Sequence, residues 1–179
     1  SIRERYFEQT ADFLKPYRER RNIRNIRMLA NIKEKTGIAL DFEKDVLPLS
    51  EYRNGGSVTE RHLLFALAKK VIPDGSEKEQ YKLLGQYKAG LIHDVYIEPT
   101  DELLPLTEAI AFAKDVDAIL CYSYLGDVTN SPTGDKKAAK FEDEYLDELI
   151  AYLPTVGIPA VTYMPSRNTT VQLDRLMDL

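Results

Sequence analysis

The sequence predicts an α/β fold in which a mainly helical region precedes two strand, loop and helix units whose strands run parallel. Three features predict it. Residues 118–127, AILCYSYLGD, form a short apolar run that ends in tyrosines, a glycine and an aspartate, the pattern of a buried strand emptying into a loop. A second run, IPAVTYMP at 158–165, ends likewise in Ser166, Arg167 and Asn168. Helical patterns follow at 142–153 and after 168, and strands alternating with helices are joined in parallel by right-handed crossovers. Chemistry in such folds sits where strands end, which points to the loops 123–136 and 164–169.

Taken in order, residues 2–14 carry a helical pattern, and Pro16 kinks the chain or begins a new helix that runs to about residue 35, where Gly37 ends it. Ile23, Ile26, Leu29 and Ala30 form its expected apolar stripe. Arg20, Arg24 and Arg27 fall in a narrow arc opposite, which reads either as a solvated face or as a surface for anions. Residues 38–50 read as a loop with one turn of helix, and Asn54-Gly55-Gly56 breaks the chain. Thr59 caps a helix over 61–71 whose apolar face is Leu63, Leu64, Leu67, Ala68 and Val71. A short helix is expected at 78–84 and an extended segment at 92–97 before Pro99. Residues 103–114 predict a helix with Leu106, Ala109, Ile110 and Ala113 inward. Residues 128–140 have loop chemistry, 142–153 carry the stripe Tyr145, Leu146, Leu149, Ile150 and Leu153 up to Pro154, and Asn168 or Thr169 caps a last helix packing through Leu173, Leu176 and Met177.

Composition narrows the classes of function. With 24 Lys and Arg against 29 Asp and Glu the chain is acidic overall, which argues against a dedicated nucleic-acid binder. Cys121 is the only cysteine, so no internal disulfide or cysteine-rich zinc site can form, and a cytoplasmic location is expected. No apolar run reaches the length of a membrane span, and no membrane partner is expected. The chain begins in a helical pattern at Ile2 and stops inside another at Leu179, so a piece of a longer protein is expected. Dinucleotide, Walker, serine-hydrolase, HExxH and paired-cysteine motifs are all missing. His62 and His93 are the only histidines, and Asp127, Asp135, Asp101 and Glu98 are the carboxylates that would complete a metal site with them. Asp135 can equally cap a helix or close an Asx turn.

Longer stretches carry a resemblance. RERRNIRNIRMLANIKEKTGIALDFEKDV, GGSVTERHLLFALAKKVI, VYIEPTDELLPLTEAIAFAKDVDAILCYSYLGD and PAVTYMPSRNTTVQLDRLMDL cover most of the chain. Together they resemble the PHP (polymerase and histidinol phosphatase) family of metal-dependent phosphoesterases. LGDV, TGDKKAAKFEDEYLDEL and YMPSRNT are similar to one bacterial subgroup of it.

The resemblance implies a distorted (β/α)7 barrel that holds about three divalent metals and hydrolyses phosphate esters with a metal-activated water. On this basis residues 1–98 are a mainly helical insertion region, and 99–179 are βα units of a partial PHP-type barrel with few parallel strands. The family's opening pair of histidines and its closing aspartate and histidine lie outside the chain, and Tyr122 stands where many members place a metal-binding histidine. A divalent metal (Mn, Zn or Mg) is therefore expected in the full-length protein, with the fragment inactive alone. Arg61 and His62 match the insertion residues that reach the substrate phosphate, as donors at a helix N-terminus. Arg167 as a further phosphate contact and Asp127 as a metal ligand rest only on their strand-end positions. The implied partner is a small phosphorylated substrate, with self-association through exposed strand edges. The alternative is a non-catalytic binding or regulatory module on the same scaffold.

Overall fold

The computed structural model describes residues 2–126, 143–165 and 168–179. The chain divides into two compact units, Glu8–Leu104 and a second formed by the residues from Pro105 onward together with those up to Phe7.

The first unit is built on α1 (Phe7–Thr36), which continues through Pro16 without a break. A proline inside a helix costs about 3 kcal/mol, and the long packed helix absorbs that cost. Gly37, at φ +73°, ends α1 by donating its N–H to the Lys33 carbonyl at 2.8 Å. The face that α1 buries differs from the expected one. Arg24, Asn25, Met28, Leu29 and Ile32 are buried, while Ile23 and Ile26 are 52% and 49% exposed. The arginine arc is accordingly split. Arg27 is exposed, Arg20 lies 4.6 Å from the ring centre of Tyr17, and Arg24 is in the interior.

Arg24 belongs inside because every donor of its guanidinium has an acceptor. Nε and Nη2 grip the two carboxylate oxygens of Glu102 at 2.7 and 3.0 Å, Nη2 also reaches Glu60 at 2.8 Å, and Nη1 donates to the Ile97 carbonyl at 2.9 Å and to Met28 Sδ at 3.5 Å. Glu102 is itself buried, and Arg21 adds a bond to it at 3.1 Å. Burial alone would lower the pKa of Arg24, but the hydrogen bonds and charges of Glu102 and Glu60 raise it well above its ordinary value.

Around this pair lie α2 (Glu60–Val71), α3 (Glu77–Ala89) and α4 (Ile92–Val95). Leu63, Leu64, Leu67 and Ala68 of α2 are buried as their spacing predicts. They join Met28, Ile32, Val46, Val58 and Val95 in the core. A stack of Phe65 on Tyr81, 4.5 Å between ring centres, sets α2 against α3. Residues 92–97, expected to be extended, instead start with α4. His93 and Asp94 are both exposed between half-buried Ile92 and buried Val95, a helical spacing rather than an alternation.

The second unit contains α5 (Leu106–Asp115), β1 (Cys121–Ser123), α6 (Leu146–Tyr152), β2 (Ala160–Thr162) and α7 (Thr170–Asp178). The strands pair in parallel with Tyr122 opposite Val161 and Ser123 opposite Thr162, as the two strand, loop and helix units predict. Pro154 does not stop the chain's helical course, which passes into a 3₁₀ turn at Leu153–Val156. Gly157 stops it, at φ +94°, and a Cβ there would lie 3.1 Å from Ile110 Cγ2. Leu106 and Met177, expected inside, are 54% and 76% exposed.

The barrel expectation is overturned. The described residues are mostly helical and hold one sheet of two three-residue strands. Closing a barrel needs many strands with a consistent tilt and stagger, and two short ones cannot curve back on themselves. No helix among the described residues is long and apolar enough to cross a membrane.

Removing one member of a buried ion pair strands the other. Arg24→Ala is expected to lower unfolding stability by about 3–5 kcal/mol in urea titrations, while the double change Arg24→Met with Glu102→Leu recovers most of that loss. Equal losses in the single and double variants would contradict the pairing.

Candidate functional site

Of the residues predicted to hold the phosphate, Arg61 and His62 are described and Arg167 is not, and Asp127 and Asp135 likewise lie outside the described residues. The two described ones are adjacent in sequence but point apart, because neighbouring side chains on a helix differ by about 100°.

His62 turns back on its own helix start. The Thr59 backbone N–H donates to His62 Nδ1 at 3.0 Å, Thr59 Oγ1 lies 3.1 Å from the same nitrogen, and the His62 N–H donates to the Thr59 carbonyl at 2.9 Å. Histidine here fills the place that Glu or Gln takes in a capping box. An accepting Nδ1 puts the proton of the neutral ring on Nε2. Burial holds the His62 pKa below its ordinary value, the charge of Arg61 lowers it further, and Glu60 opposes both.

Arg61 projects toward α3, with its guanidinium 5.5 Å from the ring centre of Tyr81. It lines a cavity of about 270 Å³ together with Thr59, Glu60, Leu64, Leu84, Lys88, Ile92 and Tyr96. Buried Leu64 and Leu84 make the interior of this space, and the exposed Arg61 and Lys88 make its rim. Glu60, the acid that would offset those cations, is drawn to Arg24 at 2.8 Å. The rim therefore presents positive charge over an apolar interior, beside the N-terminal end of α2, whose dipole also favours anions. A neighbouring cavity of about 200 Å³ differs, because its charged walls Arg21, Arg24, Glu60 and Glu102 are already paired with one another.

Sequence reasoning missed Lys88, which sits 27 positions beyond Arg61. A signal existed. Arg61 and Leu64 share one face of α2, and Leu84 and Lys88 share one face of α3, each pair joining a cation to a buried leucine.

The strand ends of the second unit, where chemistry was expected, show a tied polar cluster. Tyr124 extends the ladder by donating its N–H to the Thr162 carbonyl at 2.8 Å, and its buried hydroxyl donates to Asp143 Oδ1. Gln172 Nε2 donates to Asp143 Oδ2 at 2.7 Å, and Arg175 donates to the Asp143 carbonyl at 2.7 Å and to Asp147 Oδ1 at 2.6 Å. Asn168, which is buried, donates to the Leu125 carbonyl at 2.9 Å and accepts from the Met164 N–H at 2.9 Å. These groups join the first turn of α7 and the approach to α6 to the end of β1. They are scaffolding.

Among the described residues no three His, Cys, Asp or Glu side chains group as metal ligands. The carboxylates that converge are engaged elsewhere, Glu60 and Glu102 by Arg24 and Asp143 by Tyr124 and Gln172. The described residues do not fit the divalent metal that the family resemblance implies. Tyr122, which the resemblance would set in a histidine's place, lies in β1 beside Val161, and the Thr162 hydroxyl sits 3.4 Å from its carbonyl oxygen.

Two outcomes follow. Because the folded pKa of His62 lies below 6.5, the unfolded chain holds a proton in that interval that the folded chain does not. Its contribution to stability is complete above pH 6.5 and is lost as the pH falls through the folded value. The urea midpoint should drop as the pH falls below 6.5, and His62→Gln, which keeps an acceptor for Thr59, should flatten that slope. In the second unit Gly126 stands at φ +68°, and a Cβ there would meet Gln172 Nε2 at 2.6 Å. Gly126→Ala should cost more than about 1 kcal/mol, read as a lower thermal midpoint. No family model, no curated protein and no solved structure matches the chain.

Proposed function

We propose that the chain binds the phosphate of a small phosphate ester at the α2–α3 cavity, as the substrate-holding part of a cytoplasmic phosphoesterase of the PHP kind. The observation that supports this is the pair Arg61 and Lys88 at the rim of one cavity, with Glu60, the carboxylate of the same lining, paired to Arg24. The reaction class comes from the sequence resemblance alone. In that reading water activation belongs to a divalent metal held by other residues of the longer protein, and the chain by itself does not hydrolyse esters. Arg61 offers a planar fork and Lys88 a mobile point charge, which together suit a phosphate monoester better than a single cation would.

A second reading, a binding or regulatory module without catalysis, is favoured by the engagement of Glu60, Glu102 and Asp143 in structural bonds. The two readings share the phosphate site and part only in turnover.

Methyl phosphate titrated into the labelled chain should give saturable shifts at Arg61 and in the first turn of α2. Arg61→Ala and Lys88→Ala should each weaken binding by roughly tenfold, since a charge-assisted hydrogen bond is worth about 1.5–3 kcal/mol. Absence of any saturable change in the unaltered chain would rule out both readings. Turnover of a phosphate ester by the metal-loaded full-length protein separates the first from the second.

A further inference from the structure

We propose that the phosphate ester taken by this cavity is an aryl phosphate, with the aromatic ring seated among Leu64, Leu84 and Ile92 and the phosphate at Arg61 and Lys88. The proposal rests on the phosphate reading above and adds the chemistry of the body that carries the phosphate.

Volume bounds that body. A cavity of roughly 150 Å³ lined by such apolar side chains is large enough for benzene. The cavity here, about 270 Å³, holds one ring with room left for the phosphate at the mouth, and lies below the roughly 300–1,000 Å³ of sites for larger ligands.

The lining decides between a ring and a sugar of similar size. Leu64 is 2% and Leu84 7% exposed, and both offer only hydrocarbon. Two polar side chains of the lining are already committed, Glu60 to Arg24 at 2.8 Å and Thr59 Oγ1 to His62 Nδ1 at 3.1 Å, and in this proposal Arg61 and Lys88 go to the phosphate. Sugar hydroxyls placed against these leucines would give up water and find few acceptors, at a cost of about 1–3 kcal/mol for each one left unpaired. A ring gives up nothing of that kind and gains from burial. Tyr96, 40% exposed and part of the same lining, adds an aromatic face.

Charge completes the selection. Because Arg24 holds Glu60, the anion entering between Arg61 and Lys88 does not meet an unpaired carboxylate of the lining.

The test is a set of titrations of the 179-residue chain with phenyl phosphate, methyl phosphate and glucose 6-phosphate, followed by calorimetry or NMR. Phenyl phosphate should bind about tenfold or more tightly than methyl phosphate, and glucose 6-phosphate no more tightly than methyl phosphate. Ile92→Thr, which puts a hydroxyl into the seat proposed for the ring, should shrink the preference for phenyl over methyl phosphate several-fold. Lys88→Gln should weaken both ligands alike. Equal affinity for phenyl and methyl phosphate, or a preference for the sugar ester, overturns this inference and leaves the phosphate reading standing. No binding of any phosphate removes the phosphate reading and this inference together. The comparison among ligands is made on the unaltered chain, so a variant that failed to fold would not remove the test.

Discussion

The bond between Arg24 and Glu102 is the constraint on which the first unit depends. It joins a position in the middle of α1 to one 78 residues later, and through Glu60 and the Ile97 carbonyl the same guanidinium also fixes the start of α2 and the segment after α4. Measured against an apolar pair of equal volume, such a buried ion pair adds little net stability, because desolvation offsets most of the Coulomb gain. Its effect is on arrangement. Five donors in a planar fork find acceptors from three parts of the chain in one geometry, and a lysine, with three donors on one nitrogen, could not reproduce it. A shifted register of α1 would leave the buried Glu102 carboxylate without its counter-charge, and that penalty is larger than the loss of a few apolar contacts.

The same bond explains which parts of the fold were legible in the sequence. Helix α2 was, because Thr59 and the spacing of Leu63, Leu64 and Leu67 are local signals, and local signals survive folding unchanged. The parallel pair Cys121–Ser123 and Ala160–Thr162 was legible because two apolar runs separated by a helical pattern leave few ways to connect. The buried face of α1 was not. Hydrophobicity ranks Ile23 and Ile26 above Arg24 and Asn25, yet the isoleucines face out. Arg24 earns its interior position from Glu102 and Asn25 from the Val58 carbonyl at 3.1 Å, partners that no window of local sequence contains. The barrel failed for a related reason. A strand end looks alike in a sheet of two strands and a sheet of seven, so the two runs fixed the pairing and left the architecture open.

The candidate site divides along similar lines. Arg61 and His62 were read as a pair because they are neighbours, but a helix sends adjacent side chains in different directions. His62 has its Nδ1 in the cap at Thr59, where a carboxylate or amide is usual, and Arg61 goes to the cavity. What the pair lacked in the sequence was Lys88, brought opposite Arg61 only by the packing of α3 on α2 through Phe65 and Tyr81.

Charge already engaged inside the fold is not open to a ligand, and the cations that line a cavity without such engagement mark the site. At the strand ends of the second unit, Asp143 takes the Tyr124 hydroxyl and the Gln172 amide, and Arg175 is taken up by Asp147 and a backbone carbonyl. Those groups hold loops and helices in place, and recruiting any of them to a ligand would first break a bond that the unit uses. In the first unit, Arg21, Arg24, Glu60 and Glu102 are likewise closed on one another. Arg61 and Lys88 differ, because neither has a carboxylate within ion-pair distance among the described residues, and Arg61 has only the face of Tyr81. An incoming anion meets them without displacing an internal partner. Their cost for binding is therefore the water they carry, and the apolar interior behind them repays that only for a ligand with a body to bury.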